Sequence, residues 1–156
     1  MPSQRKSPPE PARAYWMFVL SPANFERTRR LRFTLQGMKR RHLRKAERMA
    51  PGDRICWYVT GTQTFAATGT ITSPYFESSK RIWVSDGTPD TYPWRVRIRK
   101  DSVRTPESGI PAAALVPRLL FVRKWPKTSW HLAFQGNVHE LPAEDFKVIA
   151  RAVASP

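Results

Sequence analysis

The sequence predicts an α+β domain, a small mixed β-barrel flanked by short helices. Bounded apolar runs of strand length recur through the middle of the chain, helical spacing separates the first two of them, and an amphipathic helix closes the chain. With 156 residues, 40% of them hydrophobic and 12% aromatic, the chain suffices for one domain with its own core. The charge it carries therefore belongs to a folded body and not to a disordered polycation.

Residues 1–13 are rich in Pro, Ser and Arg and lack an apolar core, which predicts a disordered basic leader ahead of a domain spanning 14–154. Tyr15 to Leu20 is an aromatic and aliphatic run that reads as a buried strand, stopped by the turn Ser21-Pro22-Ala23-Asn24. A short helix and then a loop are expected from Phe25 to Gln36. Met38 to Met49 has helical spacing and ends at Pro51-Gly52. Strands follow at Asp53 to Gly61 and Phe65 to Ser73. From Trp94 the chain alternates, so that Trp94, Val96 and Ile98 pack while Arg95, Arg97 and Arg99 face water. Ile110 to Leu115 predicts a helical turn, Leu119 to Val122 a strand or helix edge, and Trp130 to Phe134 a strand closing at Gly136. Pro142 to Val153, with Glu144 and Asp145 at its start and Phe146, Ile149 and Val153 on one face, predicts a helix.

The charge distribution is uneven. Between Arg27 and Arg54 eleven Lys/Arg stand against Glu47 and Asp53, a surplus of nine within a whole-chain net charge of +15. Such a field attracts polyanions, and nucleic acid leads among them. The segment has few large apolar residues to insert into a bilayer, and the run Tyr15 to Leu20 is far shorter than the ~20 residues that span one. A membrane partner is not expected. The competing reading is compositional, since 19 of the 27 basic residues are Arg. The single cysteine, Cys56, fits a reducing compartment, and the cytoplasm is expected.

Catalytic signatures are sparse. His42, His131 and His139 lie far apart in sequence, Cys56 sits within an apolar run, and the seven glycines form no phosphate-binding loop, so neither a metal nor a cofactor is expected. What remains is the coincidence of arginines with aromatics, a combination that holds phosphates and stacks on bases.

Several blocks resemble one family in order: Ala14 to Phe25, Arg41 to Arg54, Tyr58 to Gly61, Tyr92 to Arg97, Leu115 to Leu119 and Glu144 to Phe146. Together they are similar to an EVE domain over about residues 14–153. The resemblance implies a PUA-like barrel, related to YTH and ASCH domains, that holds a modified nucleobase in a pocket at one end. It places that pocket around Ser21, Asn24, Phe33 and Tyr58, with Phe76 and Phe134 as further walls. Arg29, Arg30, Arg32, Lys39, Arg40, Arg41 and Arg44 would then hold the backbone of the DNA or RNA. Gln36 departs from the family's pattern, in which an aromatic or aliphatic residue often precedes the glycine. Two alternatives stay open, an enzyme hydrolysing a modified nucleoside and an RNA-binding adaptor indifferent to sequence.

Overall fold

The computed structural model describes residues 13–85, 87 and 89–156; apart from Arg13, the expected leader lies outside them. In chain order they form β1 (Tyr15–Leu20), α1 (Pro22–Arg30), β2 (Leu35–Met38), a 3-10 turn (Arg40–His42), α2 (Leu43–Arg48), β3 (Arg54–Val59) and β4 (Thr64–Ile71). There follow β5 (Phe76–Glu77), β6 (Trp94–Val103), β7 (Ile110–Pro111), α3 (Ala112–Leu115), 3-10 turns at Val116–Arg118 and Lys127–Phe134, β8 (Val138–Leu141) and α4 (Ala143–Ala154). The sheet runs β2-β6-β4-β3-β1-β8, with β5 against β6 and β7 against β4. β1 is parallel to β3, and the other pairings are antiparallel.

The unbroken apolar runs of β1 and β3 have a simple cause, which is that both faces of the sheet are covered. Trp16, Phe18 and Leu20 of β1 and Ile55, Trp57 and Val59 of β3 point into the curl, against Phe25, Phe33 and Met38. Met17, Val19, Cys56 and Tyr58 point the other way, against Leu115, Phe134, Phe146 and Ile149. Cys56 is thus a small core hydrophobe, and burial pushes its thiol pKa up. Register shifts at Trp57/Tyr58 and at Thr68/Gly69 bend β3, β4 and β6 into a strongly curled half-barrel.

The half-barrel does not close by strand pairing. Its terminal strands β2 and β8 are instead joined by side chains: the Lys39 amide donates to Asn137 Oδ1 at 3.0 Å, and Lys45 Nζ to the Val138 carbonyl at 2.8 Å. This seam is where the candidate site opens.

Four expectations are corrected. Leu35–Met38 is a buried strand and not a loop, because the Gln36 amide is satisfied internally: its Oε1 accepts from Thr28 Oγ1 (2.9 Å) and Trp57 Nε1 (2.8 Å), and its Nε2 donates to the Gly37 carbonyl (3.0 Å). Arg95 does not face water; only 1% of it is exposed. Lys127–Phe134 is a 3-10 turn where a strand was expected, its Trp130 and Phe134 rings meeting four residues apart at 5.7 Å. Leu119 to Val122 is neither strand nor helix, because the buried Asp145 carboxylate accepts from the Leu120 and Phe121 amides at 2.8 Å each and ties this stretch to the start of α4. Among the described residues no helix is long and apolar enough to cross a membrane.

Candidate functional site

The seam between β2 and β8 holds a cleft of about 570 Å³. Its floor is the end of β1, Val19 and Leu20; α1 contributes Pro22, Ala23, Asn24 and Arg27, preceded by Ser21. Lys39 lines it from beyond β2, Thr60 from beyond β3, Val84, Ser85 and Tyr92 from the β5–β6 connection, and Gly136 and Asn137 from just before β8. Arg27 and Lys39 are its two cations, and no carboxylate is among the described lining residues.

Ser21 begins the site as a helix cap. Its extended backbone lets Oγ accept from the Asn24 amide at 3.1 Å, and Pro22 occupies the first helical position, where its missing donor is no loss. Asn24 then clamps the opposite wall. Its Nδ2 donates to the Val84 carbonyl (2.8 Å) and Tyr92 Oη (3.3 Å), while its Oδ1 accepts from the Val84 amide (3.0 Å) and Arg27 Nη1 (3.1 Å). With its amide committed on both ends, Asn24 shapes the cleft more than it offers free groups to a ligand. Asn137 is the counterpart across the seam: its backbone carbonyl accepts from the Val19 amide at 2.8 Å and its Oδ1 from Lys39.

Tyr92 is the aromatic residue of the cleft. It sits at φ 54°, the left-handed region that side chains with a Cβ avoid, and is held there from both sides. Its amide donates to Asp90 Oδ1 at 3.0 Å, its carbonyl accepts from Arg95 Nε at 3.2 Å, and Lys39 Nζ lies 5.9 Å from its ring centre. Arg95 organises the whole connection. Besides Tyr92 it donates to the Lys80 carbonyl, to the Thr91 carbonyl (3.2 Å) and to Ser78 Oγ (3.2 Å), with its guanidinium 5.2 Å from the Trp83 ring centre. Burial pushes its pKa down, and these partners are all neutral oxygens, three backbone carbonyls and one hydroxyl.

The structure brings only part of the expected pocket together. Ser21 and Asn24 line the cleft; Phe33, Tyr58, Phe76 and Phe134 do not. Phe33 turns inward because α1 ends in a Schellman motif: the Phe33 amide donates to the Thr28 carbonyl and the Arg32 amide to that of Arg29, with Arg32 and Phe33 both left-handed. Its ring packs on Phe25 at 5.7 Å and Trp57 at 5.3 Å. Tyr58 and Phe134 stack on each other at 4.5 Å in the second core, where burial pushes the Tyr58 phenol up to about 12. Phe76, half-buried on β5, lies under the Arg97 guanidinium at 5.4 Å. The cleft residues that sequence reasoning missed are Thr60, Val84, Tyr92 and Asn137. The Gly136-Asn137 pair was a legible turn signal, whereas Tyr92 was absorbed into the alternation that follows it.

The fold also divides the basic stretch. Arg27 and Lys39 reach the cleft. Arg29 and Arg30 pair with Glu26, Arg30 Nε at 3.5 Å, and Arg29 lines a different depression against Val103 to Glu107. Arg40 lies 5.7 Å from the Trp94 ring centre, with its amide donating to Asp90 Oδ2 at 3.1 Å. Arg32 and Arg44 are exposed. Arg41 joins His42, Lys45 and His139 in a cluster beside Gly136. His42 and His139, distant in sequence, are therefore neighbours, yet no third His, Cys, Asp or Glu completes a metal site among the described residues.

A half-barrel curled around one core, with an open seam at the end of β1, is the architecture of a PUA-like domain. Residues 14–152 match the model of the EVE domain, and the chain belongs to that family. It is 28% identical over 145 residues to a UPF0310 protein of Pyrococcus abyssi, spanning 87% of this chain and 96% of the relative. Among solved structures it resembles the YTH domain of Zygosaccharomyces rouxii MRB1, crystallised with N6-methyladenosine RNA, at a TM-score of 0.61 and 18% identity, covering 92% of this chain and 91% of that one. Rpa0253 of Rhodopseudomonas palustris, solved by NMR, gives a TM-score of 0.57 at 16% identity, with 90% and 92% covered. At these identities the structural likenesses establish the fold.

Proposed function

We propose that this domain is a non-catalytic reader of nucleic acid, which admits one flipped, chemically altered base of DNA or RNA to the seam cleft while flanking cations hold the backbone. The observation that carries the reading is the cleft itself: a walled space lined by two cations, polar backbone and side-chain groups and one tyrosine, with no carboxylate among its described residues. A base brings hydrogen-bonding edges and a phosphate on either side, which matches that lining. Family membership supports it, and so does the fold shared with a YTH domain whose crystals hold N6-methyladenosine RNA. The hydrolase alternative would need a base poised in the cleft; Lys39 is the described lining residue that would have to serve, and turnover of a modified nucleoside by the wild type but not by Lys39→Met would favour it over the reader.

A base-sized cleft distinguishes a methyl-sized group by about 1–3 kcal/mol, on the order of 10- to 200-fold. Fluorescence anisotropy against oligonucleotides identical but for one modified base is expected to single out one modification by about tenfold or more, with affinity falling steeply as salt rises. Equal affinity for every member, altered or not, would sink the reader.

A further inference from the structure

Beside the cleft lies the cluster that the fold assembles from both ends of the chain. Gly136, at φ +91°, lines the cleft and touches the cluster: the position a Cβ would take there is 3.4 Å from His139 Nε2 and 3.8 Å from Arg41 Nη2. Arg41 Nε donates to His42 Nε2 at 3.3 Å, so the neutral His42 ring carries its proton on Nδ1. His139 Nε2 bonds the Gln135 carbonyl, which only accepts, so that ring carries its proton on Nε2. Lys45 spans the same strand end through the Val138 carbonyl, and Lys39 links cluster and cleft through Asn137.

We propose that Arg41, His42, Lys45 and His139, with Lys39 at the cleft side, form the seat of one phosphate diester, and that filling it is coupled to proton uptake by the two imidazoles. The proposal rests on the nucleic-acid reading above and names the subsite and its chemistry. The groups that face His42 are Lys45, Arg41, His139 and Lys39; those that face His139 are Lys45, Lys124, Arg41 and the Gln135 carbonyl. None of the charged ones is an acid. Burial and these cations hold His42 at about 4 and His139 below its ordinary value, so both rings are neutral near pH 7. Among the described residues named as facing the two rings, the cations have no anion beside them. A phosphate placed there offsets the cations, raises both imidazole pKa values, and turns each ring into a two-donor partner.

The sign follows from linkage: the bound state holds more protons than the free state, so affinity rises as pH falls. If His42 moves from about 4 to roughly 6 on binding, affinity is about tenfold higher near pH 5 than near pH 7.5. The experiment has two arms. In the first, an oligothymidylate, whose bases do not titrate in this range, is bound at both pH values by the whole chain and by His42→Gln and His139→Gln; the wild type is expected to gain about tenfold and His42→Gln to gain little. In the second, the imidazole signals are followed by NMR through a pH titration with and without saturating sulfate, a dianion that does not titrate there either; the His42 pKa is expected to rise by about two units, the shift that the tenfold gain requires. Sulfate shifting both rings while neither the oligothymidylate nor any oligonucleotide with a modified base binds would leave a seat for an anion and overturn the reader. Oligonucleotide binding with the same affinity at both pH values, or sulfate leaving both rings unmoved, would overturn the seat and leave the reader standing.

Discussion

Replacing Arg95 with methionine is expected to lower stability by about 3 kcal/mol and to expose the 78–92 connection to trypsin at Lys80 and Arg81. The guanidinium caps the carbonyls of Lys80, Thr91 and Tyr92 and the Ser78 hydroxyl from within the protein. Each carbonyl left buried without a donor costs about 1–3 kcal/mol, and the loss is held near 3 because the segment can swing out to water. For a domain of this length that is roughly 6–12 °C in the midpoint of thermal unfolding. The functional consequence exceeds the thermodynamic one, since Val84 and Tyr92 form one wall of the cleft. Lysine at the same position keeps the charge but loses the fork, and is expected to fall between wild type and methionine. An Arg95→Met protein with an unchanged midpoint and an uncut connection would show that the buried cation organises nothing.

The substitution Gly37→Ala is expected to cost about as much, through packing. A Cβ there would stand 2.5 and 2.6 Å from two atoms of the Trp83 ring and 3.0 Å from the Tyr92 carbonyl. The ring has little room to retreat: it is buried, its Nε1 donates to Thr28 Oγ1 at 2.9 Å, and Arg95 lies against it. Thr28 in turn donates to Gln36, which also accepts from Trp57, so displacing Trp83 disturbs a buried polar chain that reaches the barrel core. Overpacking of this kind costs about 1–3 kcal/mol, and the upper end applies where the neighbour is fixed by hydrogen bonds. Thermal unfolding and the near-ultraviolet circular dichroism of Trp83 would report it. In a Trp83→Leu background the same alanine should cost little, and equal cost in both backgrounds would contradict the clash.

Both substitutions act on positions whose importance the sequence conceals, and the reason is instructive. Strands β1 and β3 were legible because short, aromatic-rich apolar runs bounded by turn residues fit strands covered on both faces, and α4 because its apolar positions recur at helical spacing behind Pro142. The ordered blocks from Ala14 to Phe146 carried the family. Arg95 was misread because period-two alternation assigns a face but not what covers that face; the 78–92 connection folds over it, and nothing local in the sequence announces a loop returning. Gln36 looked like a misplaced polar residue until its three partners from α1, β3 and its own strand were in place. The pocket aromatics failed for a related reason. Phe33, Tyr58 and Phe134 have the chemistry of a base cage, but large rings are drawn to the two cores: the left-handed pair at Arg32-Phe33 turns Phe33 into the curl, and the phase of β3 sends Tyr58 to its other face, against Phe134. Charge was more telling in sum than in detail, because the fold sends Arg27 and Lys39 to the cleft, turns Arg29 and Arg30 onto Glu26, and gathers Arg41 and Lys45 with histidines from opposite ends of the chain.

The central claim is that the seam between β2 and β8 is where a base is read. Amide NMR spectra of the protein saturated with two oligonucleotides, one bearing the preferred modified base and one its unmodified counterpart, test it most directly. The account predicts that the two spectra differ at Ser21, Asn24, Thr60, Tyr92, Gly136 and Asn137, with the basic surface shifted equally by both. Differences that fall elsewhere, or two identical spectra, would contradict it.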